Sequence, residues 1–177
     1  MFALVKNDNS IKLFQPHVLW EDKNGTQYSP DQLLTLTPQQ KQDLGIYDVA
    51  YAASEDDQFY RVVQNDPTFD VAEKIVKVTF TSTPNALEDS GTGIDKVLGM
   101  KSRWIAQVNA TANSILAQTD WMLVRKIERS VDVPSATVAI RAAVVTESNR
   151  LVAAITAASN ITDFISAVQS ANWSVAQ

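Results

Sequence analysis

The sequence predicts an α+β protein in two parts, a small N-terminal antiparallel β unit followed by a C-terminal α-helical hairpin or bundle. Proline and alanine are partitioned between the halves: residues 1–90 hold five of the six prolines and six alanines, and residues 91–177 hold one proline and fifteen alanines. Proline breaks helices and alanine favours them, so regular helix belongs to the second half. Charge divides at the same place, with 7 basic and 14 acidic residues before position 91 and 8 basic and 6 acidic after it. Hydrophobic periodicity changes too, from short apolar runs to spacings of three and four. The domains expected are 1–83, acidic and β-rich, and 94–177, helical, joined by a linker at 84–93 where Pro84, Asn85, Gly91 and Gly93 cluster.

In the first part, Phe2 to Val5 and Ile11 to Phe14 are apolar runs separated by Lys6-Asn7-Asp8-Asn9-Ser10, the pattern of a hairpin. Val18-Leu19-Trp20 forms a third run that stops at Asp22-Lys23-Asn24-Gly25. Thr37-Pro38 offers an N-cap with proline at the first helical position, and Leu44-Gly45 a C-terminal stop, so one short helix is expected between them. Phe59 to Val63 and Ile75 to Phe80 carry enough β-branched and aromatic residues for two further strands.

In the second part, Ile94, Val97, Leu98, Lys101, Trp104, Ile105, Val108, Ala112, Ile115 and Leu116 trace an amphipathic helix of about six turns. Gln118-Thr119-Asp120 is expected to break it and to cap a short helix through Trp121, Val124 and Ile127. Val133-Pro134-Ser135 starts a long helix carrying Val138, Ala142, Val145, Val152 and Ile155. Ser159-Asn160 ends it, and Thr162 caps a last helix with Phe164, Ile165 and Val168. Long helices joined by short loops pack antiparallel.

Composition excludes much chemistry. The chain has no cysteine and one histidine, His17, which removes thiolate nucleophiles, disulfides and zinc sites built from Cys and His. His17 lies between Pro16 and Val18, and no glycine-flanked serine stands ready as its nucleophile. Glu55-Asp56-Asp57 is the densest acidic cluster but lacks the glycine turn and following Glu of a calcium loop, and Asp22-Lys23-Asn24-Gly25 reads better as a turn. Gly91-Thr92-Gly93 precedes a helix without the remainder of a dinucleotide or phosphate loop. The formal charge of -5 argues against nucleic acid; Arg125, Lys126 and Arg129 form the one basic group worth weighing, with Asp120, Glu128 and Asp132 near enough in sequence to neutralise it. Met1 to Val5 is too short an apolar stretch for a signal peptide, and no run is long enough for a membrane span, so a cytoplasmic protein without membrane association is expected. No catalytic, cofactor-binding or metal-binding residue is assigned, and no enzyme activity is expected.

One stretch carries a resemblance. Thr119-Asp120-Trp121-Met122-Leu123-Val124-Arg125-Lys126-Ile127-Glu128, followed by Val133-Pro134, Arg141-Ala142 and Asn149-Arg150-Leu151, resembles a segment of phage and prophage tail-fibre assembly-type and tail accessory proteins. In those proteins a long helix leads to a Thr-Asp-Trp, hydrophobic, Arg and Glu box, then to a proline-started helix with a midway Arg and a closing helix ending near a Trp. Phe164, Val168 and Trp173 fit that close, while Ile140 stands where many of these proteins have an aromatic residue before the Arg. Thr37-Pro38 through Leu44-Gly45-Ile46-Tyr47 and Phe59-Tyr60-Arg61-Val62 are similar more loosely, so the resemblance covers most of the chain and is strongest over 95–173.

The resemblance implies a non-enzymatic phage tail protein that binds the tail fibre or baseplate, as an accessory virion subunit or a fibre-assembly chaperone. Its place would be the virion or the host cytoplasm during assembly, and self-association into a homo-oligomer is open. The partner-binding residues expected are Val97, Trp104, Ile105, Val108, Ile115 and Trp121. Two other classes stay open: a glycan-binding or receptor-recognition tail module using Trp20, Tyr47, Tyr51, Tyr60, Asp56 or Asp66, and a small DNA-binding regulator using Arg125, Lys126 and Arg129.

Overall fold

The computed structural model describes residues 1–176. It is an α+β fold in two compact units, Met1–Thr83 and Pro84–Gln177. The first contains β1 (Phe2–Val5), β2 (Ile11–Phe14), β3 (Trp20–Glu21), β4 (Gln27–Tyr28), α1 (Pro30–Thr35), α2 (Pro38–Asp43), β5 (Ile46–Tyr51), β6 (Tyr60–Gln64), β7 (Thr68–Asp70), β8 (Ile75–Val78) and β9 (Phe80–Pro84). The second contains a 3₁₀ turn at Gly93–Asp95, the helices α3 (Met100–Arg129), α4 (Ser135–Ala157) and α5 (Ile161–Gln169), and a closing 3₁₀ turn at Trp173–Ala176.

The first unit is built on a five-stranded sheet of order β2-β1-β5-β8-β7, with the ribbons β3-β4 and β6-β9 beside it. The expected hairpin pairs Phe2 with Phe14 and Val5 with Ile11. The sheet is antiparallel except between β5 and β8, which run parallel with Val49 opposite Val76. Leu4, Trp20, Leu33 and Ile46 form a buried cluster, with Phe2, Phe14 and Tyr28 packed against it. The expected Thr37 cap of α2 forms, and it proves reciprocal: Thr37 Oγ1 accepts from Gln40 N at 3.3 Å and Gln40 Oε1 accepts from Thr37 N at 2.8 Å. Gly45 follows with φ +83, and its backbone passes so close to the Val5 carbonyl that a Cβ would collide with it.

Several elements differ from expectation. Strands β4, β5 and β7 and helix α1 differ from the expected set, and of the third run only Trp20 enters a strand, β3. The run Ile75 to Phe80 divides at Thr79, whose carbonyl accepts from Asn65 N at 2.9 Å, so β8 joins the main sheet and β9 the β6 ribbon. In the second unit, Gln118-Thr119-Asp120 does not interrupt the helix, and α3 runs unbroken for 30 residues. The last helix is capped by Asn160, whose Oδ1 accepts from Asp163 N at 2.9 Å, rather than by Thr162.

The segment expected as a linker is folded onto the start of α3. Met100 N and Lys101 N donate to the carbonyls of Ala86 and Leu87 at 2.9 and 3.0 Å, and Gly99 N donates to Asp89 Oδ1 at 2.8 Å. These bonds satisfy N–H groups that a helix start leaves without intrahelical acceptors. Ser90 and Val97 pair as an antiparallel bridge around Gly91 and Gly93, so this glycine pair serves a tight turn. Ile94, Val97 and Leu98 therefore precede the helix whose stripe they were expected to open.

Antiparallel α3 and α4 form a hairpin, with α5 and the C-terminal turn packed on α4. Met100, Val108 and Ala112 of α3, Val144, Leu151 and Ile155 of α4, Ala158 and Phe164 are the buried apolar residues of this unit. Ala112 and Ser148 are both small and both buried, which permits close approach of the two helices.

Candidate partner-binding surface

The six residues expected to bind a partner are separated by the fold. Ile105, Val108, Ala112 and Ile115 recur at intervals of three and four, so they share one face of α3, and that face carries the buried Val108 and Ala112. Trp104 meets Phe164 of α5 edge-on at 6.3 Å between ring centroids. Trp104, Ile105, Val108 and Ile115 are half-buried or buried within their own unit, whereas Val97 is 65% exposed and Trp121 is 54% exposed. A cleft of about 180 Å³ opens beside Trp104, between Val108, Leu151, Ile155, Val168 and Trp173. That is below the usual range of small-molecule sites, about 300–1,000 Å³.

From residue 113 to residue 143 no side chain is buried, so the far half of the hairpin is a two-helix arm with no third layer. Apolar side chains nevertheless continue along it: Trp121, Val124, Ile127, Val138 and Val145 are exposed, Ile127 to 84%. Exposed large apolar side chains gathered on one part of a surface are a feature of interaction sites on soluble proteins. Trp121, Val124, Arg125, Glu128 and Arg129 line an open groove of about 450 Å³ on α3. The Arg125 guanidinium lies 4.9 Å from the Trp121 ring centroid, a cation–π arrangement, and its buried Nε has no hydrogen-bond acceptor among the described residues. Lys126 pairs with Asp132 at 3.1 Å.

A polar clamp joins the two helices at this end. Arg141 of α4 reaches across to α3, where its Nη1 donates to the Leu116 carbonyl and to Thr119 Oγ1, both at 2.7 Å, and its Nη2 lies 2.9 Å from Asp120 Oδ1. Thr119 Oγ1 itself donates to the Leu116 carbonyl at 3.1 Å. Thr119 and Asp120, which resemble a helix cap in sequence, are thus the receptor for Arg141, and the helix passes through them uninterrupted. The motif of the resemblance, Thr-Asp-Trp followed by a midway Arg, coincides with this clamp. The partnership of Arg141, and the exposed Val124 and Ile127, were missed as site features; the Thr-Asp-Trp spacing was the available signal.

Other candidates resolve into structure. Trp20 is buried, stacks on Tyr28 at 4.4 Å and donates from its indole Nε1 to the Ser29 carbonyl at 3.0 Å. Asp22 closes the turn of that ribbon: burial would raise its pKa, but bonds from Thr26 N, Asn24 N and Tyr28 Oη outweigh burial and hold it below the usual carboxylate value. Glu55, Asp56 and Asp57 are exposed, with Asp56 Oδ1 accepting from Gln58 N at 2.9 Å. Among the described residues no three His, Asp or Glu side chains converge to hold a metal, and no helix is long and apolar enough to cross a membrane. No family model, curated protein or solved structure matches the chain.

Proposed function

We propose that this is a non-enzymatic phage tail protein that binds a tail-fibre or baseplate chain, as an accessory virion subunit or as a fibre-assembly chaperone. The observation that supports it is the exposed tip of the α3–α4 arm, where Trp121, Val124 and Ile127 stand in solvent beside Arg125. Tryptophan and arginine carry a disproportionate share of binding energy at protein interfaces. The tip also lies within the segment that resembles tail proteins. The docking residues are therefore Trp121, Val124 and Ile127, with Val97 exposed in the turn before α3, while Trp104, Ile105, Val108 and Ile115 serve mainly to hold the arm in place.

The test is co-expression with the fibre and baseplate chains of the same genome, followed by affinity capture. Trp121→Asp with Val124→Asp should lose the partner while circular dichroism and solubility stay as in the parent. Undiminished capture by the folded variant would exclude the tip as the docking site. Mass spectrometry of purified particles then separates the two roles, since a subunit appears at fixed stoichiometry and a chaperone does not.

A further inference from the structure

The hairpin of α3 and α4 has two broad faces, and the chain covers them unequally. On one, Glu147 and Arg150 of α4 bond to the segment after α5: Arg150 Nη2 donates to the Ser170 carbonyl at 2.9 Å, and Asn172 N donates to Glu147 Oε1 at 2.8 Å. On the other, Asn109, Asn113 and Leu116 of α3 face Val145, Ser148 and Asn149 of α4 across an open groove of about 330 Å³. At 3.6 residues per turn, Asn109 and Asn113 lie roughly opposite Trp104 and Thr111 around α3, and Val145 and Asn149 roughly opposite Glu147 and Arg150 around α4. The open face continues to the far end of the arm through Ile127 and Val138, which are 84% and 53% exposed.

We propose that this open face pairs with the same face of a second copy of the chain, so that two hairpins close into a four-helix bundle. Charge favours a self-pairing occupant. Among the described residues, the only charged side chains the helical period places on this face are Asp120 and Arg141, which neutralise each other at 2.9 Å. A symmetric contact thus sets no unpaired like charges against each other, the usual obstacle to identical surfaces meeting. Its polar groups suit the same occupant: the carboxamides of Asn109, Asn113 and Asn149 are each donor and acceptor at once, and an amide can pair with a copy of itself. Such neutral amides set register in paired helices without a charge to bury.

The helix composition and the available area agree. Only Arg141, Glu147 and Arg150 are charged among the 23 residues of α4, so this helix lacks the heavily charged face of an ordinary surface helix. A face about 35 Å long, from 23 residues at 1.5 Å each, and roughly 18–20 Å wide gives about 600–700 Å² per copy. Two such faces bury about 1,200–1,400 Å², the lower end of specific dimer interfaces. The association is therefore expected to be reversible rather than obligate. It shares Ile127 with the docking tip but not the Trp121 groove, and it does not depend on the fibre-binding reading.

Sedimentation equilibrium of the full chain tests this over concentrations from about 1 to about 200 μM, a span suited to dissociation constants in the micromolar range. The mass should rise from 19.5 kDa toward twice that value with concentration. Val138→Asp with Val145→Asp, both at exposed positions, should stay monomeric with an unchanged circular dichroism spectrum. Because the chain has no cysteine, Val145→Cys carries a single spin label, and its dipolar coupling to the label of a second copy should appear on association and vanish on dilution. A parent chain that is monomeric throughout, or a dimer that survives the double substitution and shows no coupling at position 145, would overturn the proposal.

Discussion

The two halves of the α3–α4 hairpin share one helix pair and one composition, yet they are stabilised in different ways. In the near half, Val108 of α3 is buried beside Leu151 and Ile155 of α4, Ala112 is buried one turn further along, and Phe164 of α5 packs edge-on against Trp104. In the far half no residue between 113 and 143 is fully buried, and Arg141 bonds one helix to the other. The near half is a small hydrophobic core; the far half is a lever projecting from it. A two-helix arm keeps its shape because α3 is one continuous 30-residue helix anchored at its start, and its apolar side chains remain available to other chains.

The largest test of this contrast is to remove the core of the near half. Phe164 has no solvent exposure, and Phe164→Ala should cost about 3–5 kcal/mol, the range for deleting a buried aromatic side chain. Thermal melts of the helical signal should fall accordingly. Because the far half has no core of its own, its helicity should disappear in the same transition. A far half that stayed helical after the near half melted would mean that the arm is stable by itself.

Arg141 tests the far half directly. Arg141→Met keeps the aliphatic stem but leaves Thr119 Oγ1 and Asp120 without their partner, for a loss of about 1–3 kcal/mol, typical of breaking a partly buried charged hydrogen-bond set. Hydrogen exchange should quicken around residues 116–124 and 137–145 and stay nearly unchanged around 104–112. Equal loosening of both halves would show that the clamp serves the whole unit.

The same contrast explains what was legible in the sequence. Spacings of three and four announced α3, α4 and α5, because helical period is local and every turn repeats it. Continuity through residues 118–120 was not legible, because the group that satisfies Thr119 lies 22 residues away on another helix. Helix α1 was legible and overlooked: Ser29-Pro30-Asp31-Gln32 has the same form as Thr37-Pro38-Gln39-Gln40, and Gln32 Oε1 accepts from Ser29 N at 2.8 Å just as Gln40 does from Thr37. Strand β5 owes its place to β1 and β8 on either side, a non-local fact. For the surface, periodicity identified which residues share a face but not which chain covers it. Val108 and Trp121 are both apolar positions on α3, and only the fold shows α4 and α5 against one and solvent against the other.

The smallest effect concerns how the near half is fixed at its outer end. Asp89 Oδ1 accepts from Gly99 N at 2.8 Å, and its other oxygen lies 2.9 Å from Lys96 Nζ. These contacts, with the Lys96 bond the strongest influence and a bond to Ser102 next, hold its carboxyl at about 2, below the ordinary 3.8. A carboxylate whose pKa is lower in the folded state stabilises that state above the unfolded value, and the benefit is lost as pH falls through the folded one. The start of α3 should therefore hold firm down to about pH 4 and loosen between about pH 4 and pH 2. Glu147, held low chiefly by Arg150 and further by Asn172 N, adds to the same acid sensitivity and also lies in the near half. The Gly99 amide resonance, which senses Asp89 directly, should titrate with a midpoint near 2 and cease to do so in Asp89→Asn. Resonances of the far half, around Trp121 and Val138, should not follow that midpoint. A Gly99 midpoint near the ordinary aspartate value would mean that Asp89 does not anchor the helix, leaving the backbone bonds from Met100 and Lys101 to Ala86 and Leu87 to hold its first turn.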